Sequence, residues 1–301
     1  MTYWRILCLP VAAVLLWSCV PQKAATSPDV KKKLDTHYQM GITYIAEGKT
    51  PQAIKELMAA QALAPDNAAV EHALGLAYQQ KGLYDQAIFQ YQKAITLDPK
   101  LTEARNNMGT AYLAKGNYKQ ALAEFEMCLK DPAYGTPEKA LYNMGFASLK
   151  MKKVDKAIEY YEKSLAMGPE NVNTLYYLAR AYLEKKENAK ALAQLKKVVA
   201  TDPKFHDAEY QLGLLYEEQK NYPLALGAFR RAVKVDSSNI DAQLHLGLCL
   251  VNLGEKDEGA KNLEIVARID PQGATGKQAA EELAKVKTDH KFRGIPKVSV
   301  R

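Results

Sequence analysis

The sequence predicts an all-α protein, a right-handed superhelical solenoid of about seven helical hairpins followed by a C-terminal capping helix. A small residue returns every 34 residues, except between Gly109 and Gly145, where the spacing is 36. Twelve residues after each of them stands an alanine or a glycine. A repeat of this length is one hairpin that buries its apolar face only by stacking on its neighbours. The small residues are Gly41, Gly75, Gly109, Gly145, Ala179, Gly213 and Gly247.

The composition is typical of a soluble globular chain. Of the 301 residues, 48% are hydrophobic and 25% are charged, and the formal net charge is +7. The positive surplus is spread along the chain without an arginine-rich or aromatic nucleic-acid signature. We therefore expect no nucleic-acid partner.

Sequence motifs for catalysis are missing. There is no glycine-rich phosphate loop, no nucleophile elbow and no Cys-x-x-Cys pair. The five histidines fall at unrelated positions of the repeat, and no two have the spacing of metal ligands. We predict a protein that is not an enzyme and that uses no cofactor, metal or small-molecule substrate.

Residues 1–18 have the pattern of an export signal. A charged residue, Arg5, precedes an apolar run at residues 6–17, which Pro10 interrupts. The run is shorter than the roughly 20 residues that a membrane-spanning helix needs, and it ends at a small residue, Ser18. Residues 19–33 contain few apolar residues and predict a flexible tether between this signal and the repeats.

The last letters of the signal, "LLWSC", resemble the lipobox of bacterial lipoproteins. The resemblance implies that Cys19 carries lipid, that the chain is cut before it, and that the protein is anchored in the membrane without a membrane-spanning helix. Because Val20 rather than aspartate follows, it also implies an outer-membrane location facing the periplasm. An ordinary signal with an incidental cysteine is the alternative, and it would leave a soluble protein.

Seven consecutive units follow the same pattern of residues. Small residues at positions eight and twenty let the two helices of a unit approach closely, and large residues at positions eleven and twenty-four fill the remaining space. Glycine commonly stands at position fifteen, where the first helix must end. This pattern, most complete in "NNMGTAYLAKGNYKQALAEFEMCL", resembles the tetratricopeptide repeat. The units are residues 34–67, 68–101, 102–137, 138–171, 172–205, 206–239 and 240–273.

The longer spacing between the third and fourth units comes from a turn that contains Pro132, Gly135 and Pro137. A longer turn here, with "NNMG" before it and "ALYNMGFASLKMKK" after it, resembles the pilotin lipoproteins of type IV pilus biogenesis, the PilF/PilW family. The match covers the lipobox and about five units. It implies a scaffold that binds the secretin subunit of the pilus machine and helps to localise or assemble it. A periplasmic adaptor for cell-wall enzymes or polysaccharide export is the alternative.

The partner is expected on the concave side, which the first helices of the units line. Helical spacing places positions two, five, nine and twelve there, with position six alongside. The fifth-position tyrosines and the asparagines also suit packing between helices, so both interpretations stay open. The candidate groove residues are Tyr38, Asn106, Tyr142, Tyr176 and Tyr210 at position five, Asn107 and Asn143 at six, Phe146 and Arg180 at nine, and Leu113, Leu149 and Leu183 at twelve.

Two further predictions concern the end of the chain and its cysteines. Residues 274–288 are rich in helix formers and predict the capping helix, with Thr275 as its N-cap. Residues 289–301 predict a basic flexible tail. Cys128 and Cys249 lie in distant units, so we expect two separate core thiols rather than a disulfide.

The lipid anchor gives the first testable prediction. Palmitate supplied to bacteria that express the full chain should label the protein, and Cys19→Ser should remove the label, because that sulfur is the expected acceptor. Immunoprecipitation followed by fluorography measures both. Label that persists on the Cys19→Ser variant, or wild-type protein without label, would contradict the lipoprotein hypothesis.

Overall fold

The computed structural model describes the backbone of residues 27–293 and the side chains of residues 27–288. The predicted signal, Cys19, the first part of the tether and residues 294–301 lie outside this range. Fifteen helices and no strand occur in the described part. They are α1 (Pro28–Ala46), α2 (Thr50–Leu63), α3 (Ala68–Gln80), α4 (Tyr84–Leu97), α5 (Thr102–Ala114), α6 (Tyr118–Cys128), α7 (Pro137–Lys150), α8 (Val154–Met167), α9 (Val172–Glu184), α10 (Asn188–Thr201), α11 (His206–Glu218), α12 (Tyr222–Val235), α13 (Ile240–Asn252), α14 (Lys256–Ile269) and α15 (Ala274–Arg293).

The first fourteen helices form seven hairpins, from α1–α2 to α13–α14, and each hairpin packs on the next. α15 packs on both helices of the last hairpin. The prediction of an all-α solenoid of seven hairpins with a C-terminal capping helix is confirmed. No helix in the described part is long and apolar enough to cross a membrane.

In six of the seven hairpins, a large side chain of the second helix lies directly on the glycine of the first helix, and the fifth hairpin has Ala179 at that position. A Cβ atom added to Gly75 would lie 2.4 Å from the ring of Tyr91, and one added to Gly145 would lie 2.6 Å from the ring of Tyr161. Both tyrosines are fully buried. The distance between the two helices is therefore set by the absence of a side chain at the glycine, as predicted from the small residue at position eight.

The turn between the two helices of a unit needs a left-handed residue. Glycine supplies it in four units, with φ between 70° at Gly48 and 89° at Gly254. In units four, five and six a lysine adopts the same conformation, with φ of 60°, 60° and 57° at Lys152, Lys186 and Lys220. The turn geometry is therefore common to all seven units, although the residue type is not.

The first helices lie closer together than the second helices. α1 contacts α3, and the contacts continue through α5, α7 and α9, whereas no comparable contact joins second helices of neighbouring units in the described part. α9 and α11 approach each other less closely. The side formed by the first helices is therefore the concave side of the stack, and we call it the inner face.

The longer turn between units three and four places an additional side chain in the core. α6 ends at Cys128, earlier than the other second helices, and Tyr134 of the turn is only 7% exposed. It packs with Phe125, Cys128 and Ala140. The two extra residues therefore fill space that the shortened helix leaves open.

The N-terminal end differs from its prediction. The first helix begins at Pro28, so the predicted tether ends at residue 27 rather than at 33. Ser27 caps the helix, because its Oγ accepts a hydrogen bond from the Val30 amide at 3.3 Å, and proline follows it at the first helical position. This Ser-Pro-Asp start signal was interpreted as part of the tether.

The C-terminal end also corrects two predictions. Thr275 is not the N-cap of α15, because the carboxylate of Asp270 accepts hydrogen bonds from the amides of Gly273 and Gly276 at 3.1 and 3.2 Å. Thr275 instead donates to Asp241 at 2.7 Å. The helix continues to Arg293, past the predicted start of the flexible tail at residue 289.

Cys128 and Cys249 are both free and buried, as predicted. Burial raises the pKa of each thiol to about 12. Neither is therefore a thiolate at neutral pH.

The packing on glycine gives the second prediction. Gly145→Ala should lower the urea midpoint of unfolding, because its Cβ meets the immobile Tyr161 ring; overpacking of this kind costs roughly 1–3 kcal/mol. Gly168→Ala is the matched control, since a Cβ there meets only the Cγ atom of Glu138, at 4.0 Å. Adding Tyr161→Leu to Gly145→Ala should recover part of the loss. Equal midpoints for the two alanine variants would contradict this account of the helix spacing.

Candidate functional site

At three of the six junctions between described units, the fifth position of one unit contacts the sixth position of the next on the inner face. The two positions meet because neighbouring first helices pack side by side. One of these contacts is a hydrogen bond of 2.9 Å, and the other two are ring contacts with centroid distances of 5.8 and 6.1 Å. The pairs are His72 with Asn107, Tyr142 with Tyr177, and Tyr210 with His245.

Four aromatic side chains meet on the inner face of units four and five. Tyr177 lies at their centre, with ring-centroid distances of 5.8 Å to Tyr142, 5.6 Å to Phe146 and 5.5 Å to Tyr176. All four are partly exposed. Edge-to-face contacts of this kind hold the rings rigidly while leaving apolar surface open. We call these four residues the aromatic cluster.

Two cations lie over these rings. The Arg180 guanidinium is 5.5 Å from the ring centroid of Tyr177, and the Lys150 ammonium is 5.3 Å from that of Phe146. Neither forms an ion pair with any residue in the described part. Both charges therefore remain available to a ligand on the inner face.

A cavity of about 300 Å³ lies between α7 and α9, beside the aromatic cluster. Its apolar wall is formed by Phe146, Leu149 and Tyr177, and its charged residues include Lys150 and Arg180. Leu149 is itself only 6% exposed, so it contributes a wall rather than an open contact surface.

Asn107 and Asn143 at position six were predicted to lie in the partner-binding groove, and the structure gives them different surroundings. The Asn107 amide nitrogen lies 2.9 Å from Nε2 of His72, and its oxygen accepts a hydrogen bond of 3.4 Å from Asn106. Burial lowers the pKa of His72, so the ring is neutral and Nε2 accepts. Asn107 is therefore engaged within the protein, whereas Asn143 forms no side-chain hydrogen bond with a described residue.

The remaining candidate residues are dispersed along the inner face. Leu113 packs into the core between units three and four, and Leu183 packs into the core of units five and six. Tyr38 and Tyr210 lie near opposite ends of the stack. The structure thus brings together Tyr142, Phe146, Leu149, Tyr176 and Arg180 and leaves the others elsewhere.

Models of one repeat family match most of the described chain. Those described as "Tetratricopeptide repeat" match residues 34–67, 148–215 and 210–274, and one described as "TPR repeat" matches residues 80–116. The chain is a tetratricopeptide repeat protein. Its fold is that of a protein-interaction scaffold.

Solved tetratricopeptide repeat structures share this arrangement. PilF of Pseudomonas aeruginosa is 22% identical with a TM-score of 0.63, covering 71% of this chain and 97% of its own. A protein from Parabacteroides merdae is 16% identical with a TM-score of 0.60, covering 85% and 99%. PilW is 20% identical with a TM-score of 0.55, covering 82% and 98%. At these identities the likeness concerns the fold. No curated protein sequence matches significantly.

Tyr177 and Lys150, which lie on the inner face at the aromatic cluster, were not predicted from the sequence. Tyr177 occupies position six of its unit, where units three and four have asparagine. That exchange was a usable signal, because a tyrosine at this position reaches the fifth position of the preceding unit. Lys150 occupies position thirteen, which the inner-face pattern did not include.

Proposed function

We propose that this protein is a non-enzymatic scaffold that binds the secretin subunit of a type IV pilus machine and helps to localise or assemble it. The proposal depends on one observation, the partly exposed aromatic cluster on the inner face of units four and five. Rigid aromatic rings provide contact area with little loss of side-chain entropy, which suits the binding of another polypeptide. The cluster is central in the stack, with units on both sides to extend the contact.

The type of partner is inferred from the structural relatives. PilW is described as a widely conserved type IV pilus biogenesis factor, and both PilF and PilW align with this chain over nearly their whole lengths. The longer turn between units three and four and the "LLWSC" motif agree with the pilotin resemblance. These observations support a pilus role, and the secretin is the partner that the resemblance implies.

The lipid on Cys19 completes the proposed mechanism. Acyl chains there would hold the protein at the outer membrane, facing the periplasm, because each buried CH₂ contributes about 0.8 kcal/mol. The repeats would then hold the secretin subunit near the membrane into which it inserts. Membrane attachment and partner binding are thus assigned to separate parts of the chain.

The third prediction compares Phe146, which is partly exposed, with Phe89, which is exposed. Phe146→Ser should reduce secretin multimers and surface pili in the bacterium, because it removes part of the aromatic cluster. Phe89→Ser should leave both unchanged, since Phe89 is 65% exposed but lies on α4, a second helix. Semi-denaturing electrophoresis measures multimers, electron microscopy measures pili, and circular dichroism with immunoblotting checks the fold and amount of each variant.

Deletion of the gene is the corresponding test of the pilus role itself. Loss of multimers and pili, with recovery by the wild-type chain, is the expected result. Multimers and pili that persist in the deletion strain would overturn the pilus role and favour the periplasmic adaptor.

A further inference from the structure

We propose that the cavity between α7 and α9 binds an acidic side chain of the protein partner, while a neighbouring apolar side chain of the same segment lies on the aromatic cluster. This inference depends on the proposed function only in requiring a polypeptide on the inner face. It adds the chemistry of the segment, namely an Asp or Glu next to an apolar residue.

Positive charge exceeds negative charge around the cavity. Lys150, Lys152 and Arg180 line it, with a single carboxylate from Glu184. That carboxylate lies 3.9 Å from the Lys152 ammonium, whose side chain is 81% exposed. Since Lys150 and Arg180 have no carboxylate partner in the described part, an incoming carboxylate would meet two unpaired cations.

The two cations are held in position before a ligand binds. Each lies over an aromatic ring that is itself packed, so less side-chain freedom is lost when a carboxylate arrives. The same rings form the apolar wall of the cavity. A segment that carries an acidic and an apolar side chain side by side would therefore satisfy both parts of the site.

Cations at positions nine and thirteen of the first helices occur only in units four and five. At positions nine and thirteen, unit three has Thr110 and Ala114, and unit six has Leu214 and Glu218. Unit six has Glu217 at position twelve, whose carboxylate lies 2.7 Å from Nδ1 of His245. An acidic side chain therefore finds these cations at the cavity and not in units three and six, which would fix the register of a bound segment.

Residues 1–26 and 294–301 are not expected to supply this acidic side chain. Residues 1–26 and 294–301 contain no Asp or Glu. The occupant expected from charge complementarity is therefore a segment of another protein.

Selection from a displayed peptide library tests the proposal. Random twelve-residue segments held between two fixed flanks offer no free C-terminal carboxylate, so any acidic preference comes from side chains. Selection on the full chain should enrich segments with Asp or Glu beside an aromatic or aliphatic residue. The Lys150→Gln, Arg180→Gln double variant should lose that acidic preference and bind the selected segments about tenfold more weakly.

The matched control is the Lys119→Gln, Lys197→Gln double variant. It makes a similar change of charge on exposed second-helix positions of α6 and α10, and it should bind like the wild type. Wild-type binding should also weaken as salt rises from 50 to 300 mM, since exposed charges are screened.

Three outcomes of the selection would overturn the proposal. They are enrichment without acidic residues, an acidic preference that the Lys150→Gln, Arg180→Gln variant retains, and no enrichment on the folded wild type. Wild-type self-association that the same variant abolishes would assign the cavity to a second copy and overturn it too. None of these results decides the pilus role, which the deletion strain tests separately.

Discussion

The whole structure depends on the direct contact between a large second-helix side chain and a small first-helix residue. At Gly75, Gly145 and Gly213 an added Cβ would lie 2.4 to 2.6 Å from the partner ring. This contact fixes the spacing of the two helices, and the shared turn geometry fixes their direction. Seven nearly identical hairpins then stack, and the first helices come together on one side. The inner face is a consequence of this repeated packing.

The candidate site lies where a unit departs from the common pattern. In unit four, position eleven is Ser148, where five other units have tyrosine, and Ser148 is fully buried. Position twelve is Leu149, where unit two has Gln79, whose side chain accepts a hydrogen bond of 2.7 Å from Tyr91. Unit four has partly exposed aromatic residues at positions five and nine. Unit four thus keeps the packing of the hairpin and also presents apolar side chains on the inner face.

The repeating features were predictable from sequence, and the features that depend on a particular neighbour were not. Spacing and residue type predicted the hairpins, the left-handed turns at four glycines and the inner-face side of the candidate residues. They did not predict the same turn at Lys152, Lys186 and Lys220. They also did not predict that Asn107 would be engaged by His72, because register assigns a face to a residue but not a partner. Tyr177 was missed for the same reason, since its role comes from rings in the preceding unit. Tyr134 fills the core from within a turn, where no periodicity operates.

Site-specific photo-crosslinking in living bacteria tests the central claim most directly. A photoreactive phenylalanine analogue at position 146 places the probe on the inner face, and the same analogue at position 89 places it on a second helix. The account predicts a crosslink to the secretin subunit, identified by antibody and mass spectrometry, from position 146 and none from position 89. Equal crosslinking from both positions, or crosslinking from position 89 alone, would contradict the claim that the inner face binds the partner.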